Sequence, residues 1–96
     1  MDERLEAGRH HLHNGGKALR EGYLDKSRSH FSAALLQFRG PELRLGEGHA
    51  LRGLAHVELD CGQFSRSEQC ALEAISAYQT VLELLRQLDS IGASEE

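Results

Sequence analysis

One proline in 96 residues and no strand-like alternation leave this chain little to form but helices. No apolar run approaches the ~20 residues of a membrane span. The opening Met1-Asp2-Glu3-Arg4 has none of the apolar core of a signal peptide. Two cysteines, Cys61 and Cys70, are too few for a secreted disulfide framework, so the expected setting is the reducing cytoplasm, with the nucleus as the other choice. A basic excess is missing too. The formal net charge is −4, and residues 1–60 carry nine Lys/Arg against nine Asp/Glu, whereas residues 61–96 carry two against six. Duplex nucleic acid, which needs a basic stripe, is therefore disfavoured.

The signatures of catalysis are also missing. No glycine-flanked serine forms a nucleophile elbow. Gly15-Gly16 follows no strand and lies inside a helical pattern, so it does not make a phosphate-cradling loop. His10, His11 and His13 stand close enough to grip zinc, but no cysteine or carboxylate completes a finger-like spacing. His49 and His56 lie two turns apart on another helix. These imidazoles are expected at the surface, with no catalytic residue, cofactor or metal site.

What is present is a repeat. Gly22-Tyr23-Leu24-Asp25 returns 40 residues later as Gly62-Gln63-Phe64-Ser65. Each has a glycine suited to closing a helix, an apolar residue two positions on, and then a side chain able to cap the next helix. Around them Leu5/Leu45, Gly8/Gly48, Leu19/Leu59, Ser27/Ser67 and Ala34/Ala74 coincide, and Leu35/Ile75 and Phe38/Tyr78 nearly so. A period near 40 with one helical hairpin per unit marks a helical repeat protein.

The pattern predicts an all-α fold of two helical hairpins, four antiparallel helices in all, with an elongated last helix. The first helix runs from about Asp2 to Glu21 with Leu5, Leu12 and Leu19 seven residues apart; a break at Asn14-Gly15-Gly16 is the alternative. The second starts after Asp25 and carries Phe31, Ala34, Leu35 and Phe38. Arg39-Gly40-Pro41 ends it and starts the third, which runs to Cys61. A capping box of Ser65 and Glu68 opens the fourth, which Gly92 stops. The domain is thus 1–92, with units 2–40 and 41–79, an extension 80–92 and a frayed tail 93–96. Leu5, Leu19, Phe31, Ala34, Leu35, Leu54, Phe64, Ala74, Ile75 and Tyr78 form the expected core. Cys61 is expected near the surface and Cys70 inside.

These residues resemble the tetratricopeptide repeat, in the longer variety found in LGN-type and kinesin-light-chain-type repeats. With the turn glycine at Gly22, the family's second-helix aromatic falls on Phe31, and its small positions fall on Gly15 and Ala34. In the second unit Gly62, Leu54-Ala55 and Ala74 take the matching places. The chain departs from the motif at His11 and Leu51, where a tryptophan-like residue is usual, and at Ser27 and Ser67, where alanine is usual. Ala71 replaces the aromatic, and Arg39 and Gln79 replace the closing proline.

The resemblance implies a binding module with the first helix of each unit lining a concave groove. That side would hold Arg9, Leu12, His13, Gly16 and Arg20, then His49, Arg52, His56 and Leu59. Its guanidinium groups suit a protein or peptide segment rich in carboxylates. Leu12 and Gly16 occupy the places of the lysine and asparagine that clamp chaperone tails in some members, so that specificity does not carry over. The expected function is a protein-interaction adaptor rather than an enzyme. The alternative is self-assembly into a homo-oligomer, for which the surplus of Tyr78, Val81, Leu82, Leu84, Leu85, Leu88 and Ile91 speaks.

Overall fold

Gly22 and Gly62 decide where two of the helices end. In the computed structural model, which describes residues 3–38 and 43–95, they alone among the described residues have positive φ, +84° and +77°. Each closes its helix with the same pair of bonds. Tyr23 N–H donates to Ala18 O at 2.9 Å and Gly22 N–H to Leu19 O at 3.1 Å; Gln63 N–H donates to Glu58 O at 2.8 Å and Gly62 N–H to Leu59 O at 3.0 Å. This two-bond closure satisfies carbonyls that the helix end would otherwise orphan, and it needs a left-handed residue that glycine adopts at no steric cost.

The closures separate α1 (Glu3–Arg20) from α2 (Leu24–Gln37) and α3 (Arg44–Asp60) from α4 (Phe64–Glu95). No strand occurs among the described residues, and the chain is all-α. α1 is continuous through Asn14-Gly15-Gly16. The expected turn at 39–41, and with it Pro41 as a helix start, lies outside the described residues.

Three boundary expectations are corrected. α2 starts two residues early, at Leu24 rather than after Asp25, and α4 starts one residue early, at Phe64, because the closing turn already delivers the chain into helix. The first helical bonds run from Ser27 N–H to Tyr23 O and from Ser67 N–H to Gln63 O. Tyr23 is the cap of α2 and makes no side-chain capping bond. Asp25 therefore sits within the first turn, where its charge suits the helix dipole, and it pairs with Arg28 at 3.0 Å. Ser65 and Glu68 both lie within α4, so the capping box is not made. Nor does Gly92 stop the helix: α4 continues to Glu95, where a frayed tail was expected from residue 93. An interior glycine costs only ~1 kcal/mol, which weakens a helix without ending it.

α1 packs along α2 and α3 along α4, and α3 also beds on α2 and α1. Glycines set the spacing. A methyl group at Gly8 would overlap the ring of Phe38, and 40 residues on one at Gly48 would come within 2.7 Å of Tyr78. Phe31 lies between Gly15 on α1 and Gly53 on α3, either of which a methyl group would drive into the ring. Phe38, Ala34, Leu43 and Ala50 form the central cluster, with Leu5, Leu12 and Leu35 against it.

Phe31, Ala34 and Ala74 are buried as expected, and Leu5, Leu19, Leu35, Leu54 and Tyr78 are partly buried. Phe64 and Ile75, expected in the core, are 69% and 50% exposed. One cause explains both. Their counterparts Leu24 and Leu35 belong to the hairpin on which α3 lies, whereas no described element lies on the hairpin of Phe64 and Ile75. α4 itself overshoots: its 32 residues against 14 in α2 carry Leu82, Leu85 and Leu88 out with more than half of each side chain exposed.

Candidate binding groove

α1 and α3 lie side by side and leave a cleft of about 540 Å³. Leu12, His13, Gly16, Leu19 and Arg20 line it from α1, and His49, Arg52, Gly53 and His56 from α3, with Phe31 of α2 at its base. Helical spacing puts these residues together: Leu12, Gly16 and Leu19 are one turn apart on α1, as are His49, Arg52/Gly53 and His56 on α3. Of the residues expected along the groove, Leu12, His13, Gly16, Arg20, His49, Arg52 and His56 line this one cleft. Leu59 does not; it lines a neighbouring cleft between α3 and α4. Arg9 is exposed on α1 and lines neither. Leu19, Phe31 and Gly53 complete the floor and were not foreseen there. The signal for them is complementary size, since one large ring needs a glycine opposite it on each flanking helix.

The cleft is cationic by composition. Arginines and histidines rim it, and no Asp, Glu, Ser, Thr or Cys is among its lining residues. Neither Arg20 nor Arg52 has an ion-pair partner among the described residues. Their guanidinium forks are uncommitted, which is the state that favours a two-pronged bond to an incoming carboxylate. His49 shares a 2.9 Å hydrogen bond with the Tyr78 hydroxyl, so α4 orients this imidazole. Burial and, after it, the charge of Arg52 hold His49 below the usual imidazole range. It contributes a polar neutral edge at neutral pH rather than charge.

Two polar arrangements outside the cleft tie helices together. Arg28 Nε donates to Glu58 Oε1 at 2.7 Å, with the Glu58 side chain only 6% exposed. Arg28 Nη2 also reaches Cys61 Sγ at 3.1 Å. The bond to Glu58 raises the guanidinium further above its ordinary value. Glu58 Oε2 is buried without a hydrogen bond; Arg66 Nη1 stands 3.9 Å away. Sequence reading missed this pair, although Glu58 follows Leu51 and Leu54 at seven- and four-residue spacing on an otherwise apolar stripe. The second arrangement joins His11 and His30, whose Nδ1 atoms are 3.1 Å apart. His10 bonds Asn14 instead. No group of three or more His, Cys, Asp or Glu that could hold a metal occurs among the described residues.

Cys61 and Cys70 are free thiols and both partly exposed. Cys70, expected inside, lines a shallow cleft with Arg28, Glu58 and Arg66; burial, with Glu73 and Glu58 nearby, pushes its thiol up. No helix among the described residues is long and apolar enough to cross a membrane. Compared with family models, with curated proteins and with solved structures, the chain matches none of them.

Proposed function

We propose that the chain is a protein-interaction module of the tetratricopeptide-repeat type, holding an acidic partner segment in the α1–α3 cleft. The observation that carries this reading is the convergence of Arg20 and Arg52, with His13 and His56, over the apolar floor of Leu12, Leu19 and Phe31 in a cleft lined by no carboxylate. The floor takes apolar side chains of the segment and the rim takes its carboxylates. Each exposed ion pair adds only ~0–1 kcal/mol, so affinity comes from several such pairs together with the floor. The lining offers no nucleophile beside its histidines, which supports a binder over an enzyme, and the reading needs no cofactor.

A random peptide library displayed against the full chain tests it. The enriched pool should be rich in Asp and Glu around one or two aliphatic residues. Arg52→Glu should weaken a selected peptide about tenfold, equivalent to ~1.4 kcal/mol. Lys26→Glu, an equal charge change on an exposed position of α2, should have little effect. A basic pool, or equal losses from the two reversals, would falsify the groove assignment.

A further inference from the structure

The 40-residue offset also shows what kind of element the α3–α4 face is built to receive. α3 beds on the α1–α2 hairpin, where Gly46 accepts the ring of Phe38 and Gly53 that of Phe31. Advancing that bed by 40 residues gives Tyr78 for Phe38, Ala71 for Phe31, Ile75 for Leu35 and Leu59 for Leu19. These four residues do line one cleft, of about 360 Å³, with Arg52 and His56 at its edge. Leu59 and Ile75 are each half exposed there. By the same offset the occupant is a helix antiparallel to α4, as α3 is antiparallel to α2. Because Ala71 stands where the first hairpin has Phe31, that helix must bring bulky aliphatic side chains where α3 brings a glycine. Arg52 and His56 call for an acid on its flank.

The overhang of α4 has those properties. Leu82, Leu85 and Leu88 recur at three-residue steps on one side, each more than half exposed, and Asp89 follows Leu85 by one turn on the same side. The overhang cannot reach its own cleft, because it is continuous with the α4 wall of that cleft. A second copy can supply it. We propose that two copies pair through antiparallel α4 helices, with each overhang lying in the α3–α4 cleft of the other. The arrangement is isologous and closes after two copies. It also covers the apolar surface that a stable monomer rarely exposes so fully. It goes beyond the acidic-segment reading and does not depend on it.

Sedimentation of the full chain from micromolar to millimolar concentration gives the first readout, with twice the chain mass expected. Leu82→Glu with Leu85→Glu on the overhang, and separately Leu59→Glu with Ile75→Glu in the cleft, should each weaken the dimer about a hundredfold. All four side chains are at least half exposed, so helical circular dichroism should be retained. Mixing the two variants should restore pairing, since the mixed dimer keeps one unaltered overhang in one unaltered cleft. A wild-type chain that stays monomeric to millimolar concentration overturns the proposal. So does a folded cleft variant that pairs as the wild type does, which would assign the pairing to overhangs alone, or a folded overhang variant that does so, or a mixture that stays monomeric.

Discussion

Ser27 donates its hydroxyl proton to the carbonyl oxygen of Gly15 at 2.8 Å, fully buried between α1 and α2. Ser67 makes the equivalent bond to Ala55 at 2.7 Å in the second hairpin. A helical carbonyl has a second lone pair to give, so the bond pins the two helices in register without disturbing either. Replacing Ser27 by alanine removes the donor and leaves no orphaned group, and should cost ~1 kcal/mol. Ser67→Ala should cost less, because Ser67 is only partly buried and water can take over part of the bond. Urea midpoints of the two variants, at unchanged slope, check the order.

The helical glycines should split by sign. Gly53→Ala pushes a methyl group into Phe31, and Gly48→Ala brings one within 2.7 Å of Tyr78; overpacking of this kind costs ~1–3 kcal/mol. Gly16→Ala meets only the far end of the Arg20 side chain, at 3.5 Å. There the better helix propensity of alanine should stabilise the fold by ~0.5–1 kcal/mol. Thermal melts of the three variants check this, and destabilisation by Gly16→Ala would contradict it.

Much of this architecture was legible because the repeat carries it. The glycine closures, the buried alanines at 34 and 74 and the continuous first helix follow from helical period and register, whereas the placing of Leu12, Arg20, His49 and Arg52 along one cleft was an expectation from the resemblance to the tetratricopeptide repeat. What was not legible depends on what lies outside a unit. Ile75 reads as core because it repeats Leu35, but its cover must come from outside its own hairpin, and a one-dimensional pattern does not show that cover. Asp25 and Ser65 read as caps because their side chains can cap. The backbone closure at Gly22 and Gly62 starts each helix ahead of these residues and leaves that capacity unused. Leu59 matches Leu19 in sequence, yet Leu19 has α3 beside it and Leu59 has only its own hairpin.

Arg28→Met should be among the costliest surface-edge changes. It leaves Glu58, 6% exposed, without its 2.7 Å partner, and an uncompensated buried charge typically costs ~3–5 kcal/mol. The loss should fall toward the lower end because the Arg28 side chain is 35% exposed and Arg66 stands close enough to swing in. The double change Arg28→Met with Glu58→Leu should recover most of the loss, since it removes the stranded charge along with its partner. A double-mutant cycle read by urea denaturation checks this. A double variant as unstable as Arg28→Met alone would show that packing of the arginine stem, rather than charge, is what α2 and α3 require.

Stability should fall on acidification, and His30 should be one cause. Burial first, and then the neighbouring charges of His11, Lys26 and His10, hold this imidazole below its ordinary value of 6.5. From that value downward the unfolded chain binds a proton that the folded chain refuses, so folding loses free energy as pH drops. The loss levels off once His30 is protonated in the folded state as well. Geometry accounts for the part that His11 adds to burial: the Nδ1 atoms of His11 and His30 face each other at 3.1 Å, and two protonated rings would present N–H to N–H. His49, lowered chiefly by burial and then by Arg52, adds a loss of the same sign. His30→Gln removes the group that refuses the proton, and its denaturation midpoint should therefore vary less with pH below 6.5 than that of the wild type. Parallel pH profiles for the two proteins would place the acid sensitivity elsewhere. A residual slope in His30→Gln that disappears on adding His49→Gln would assign the remainder to the histidine held against Tyr78.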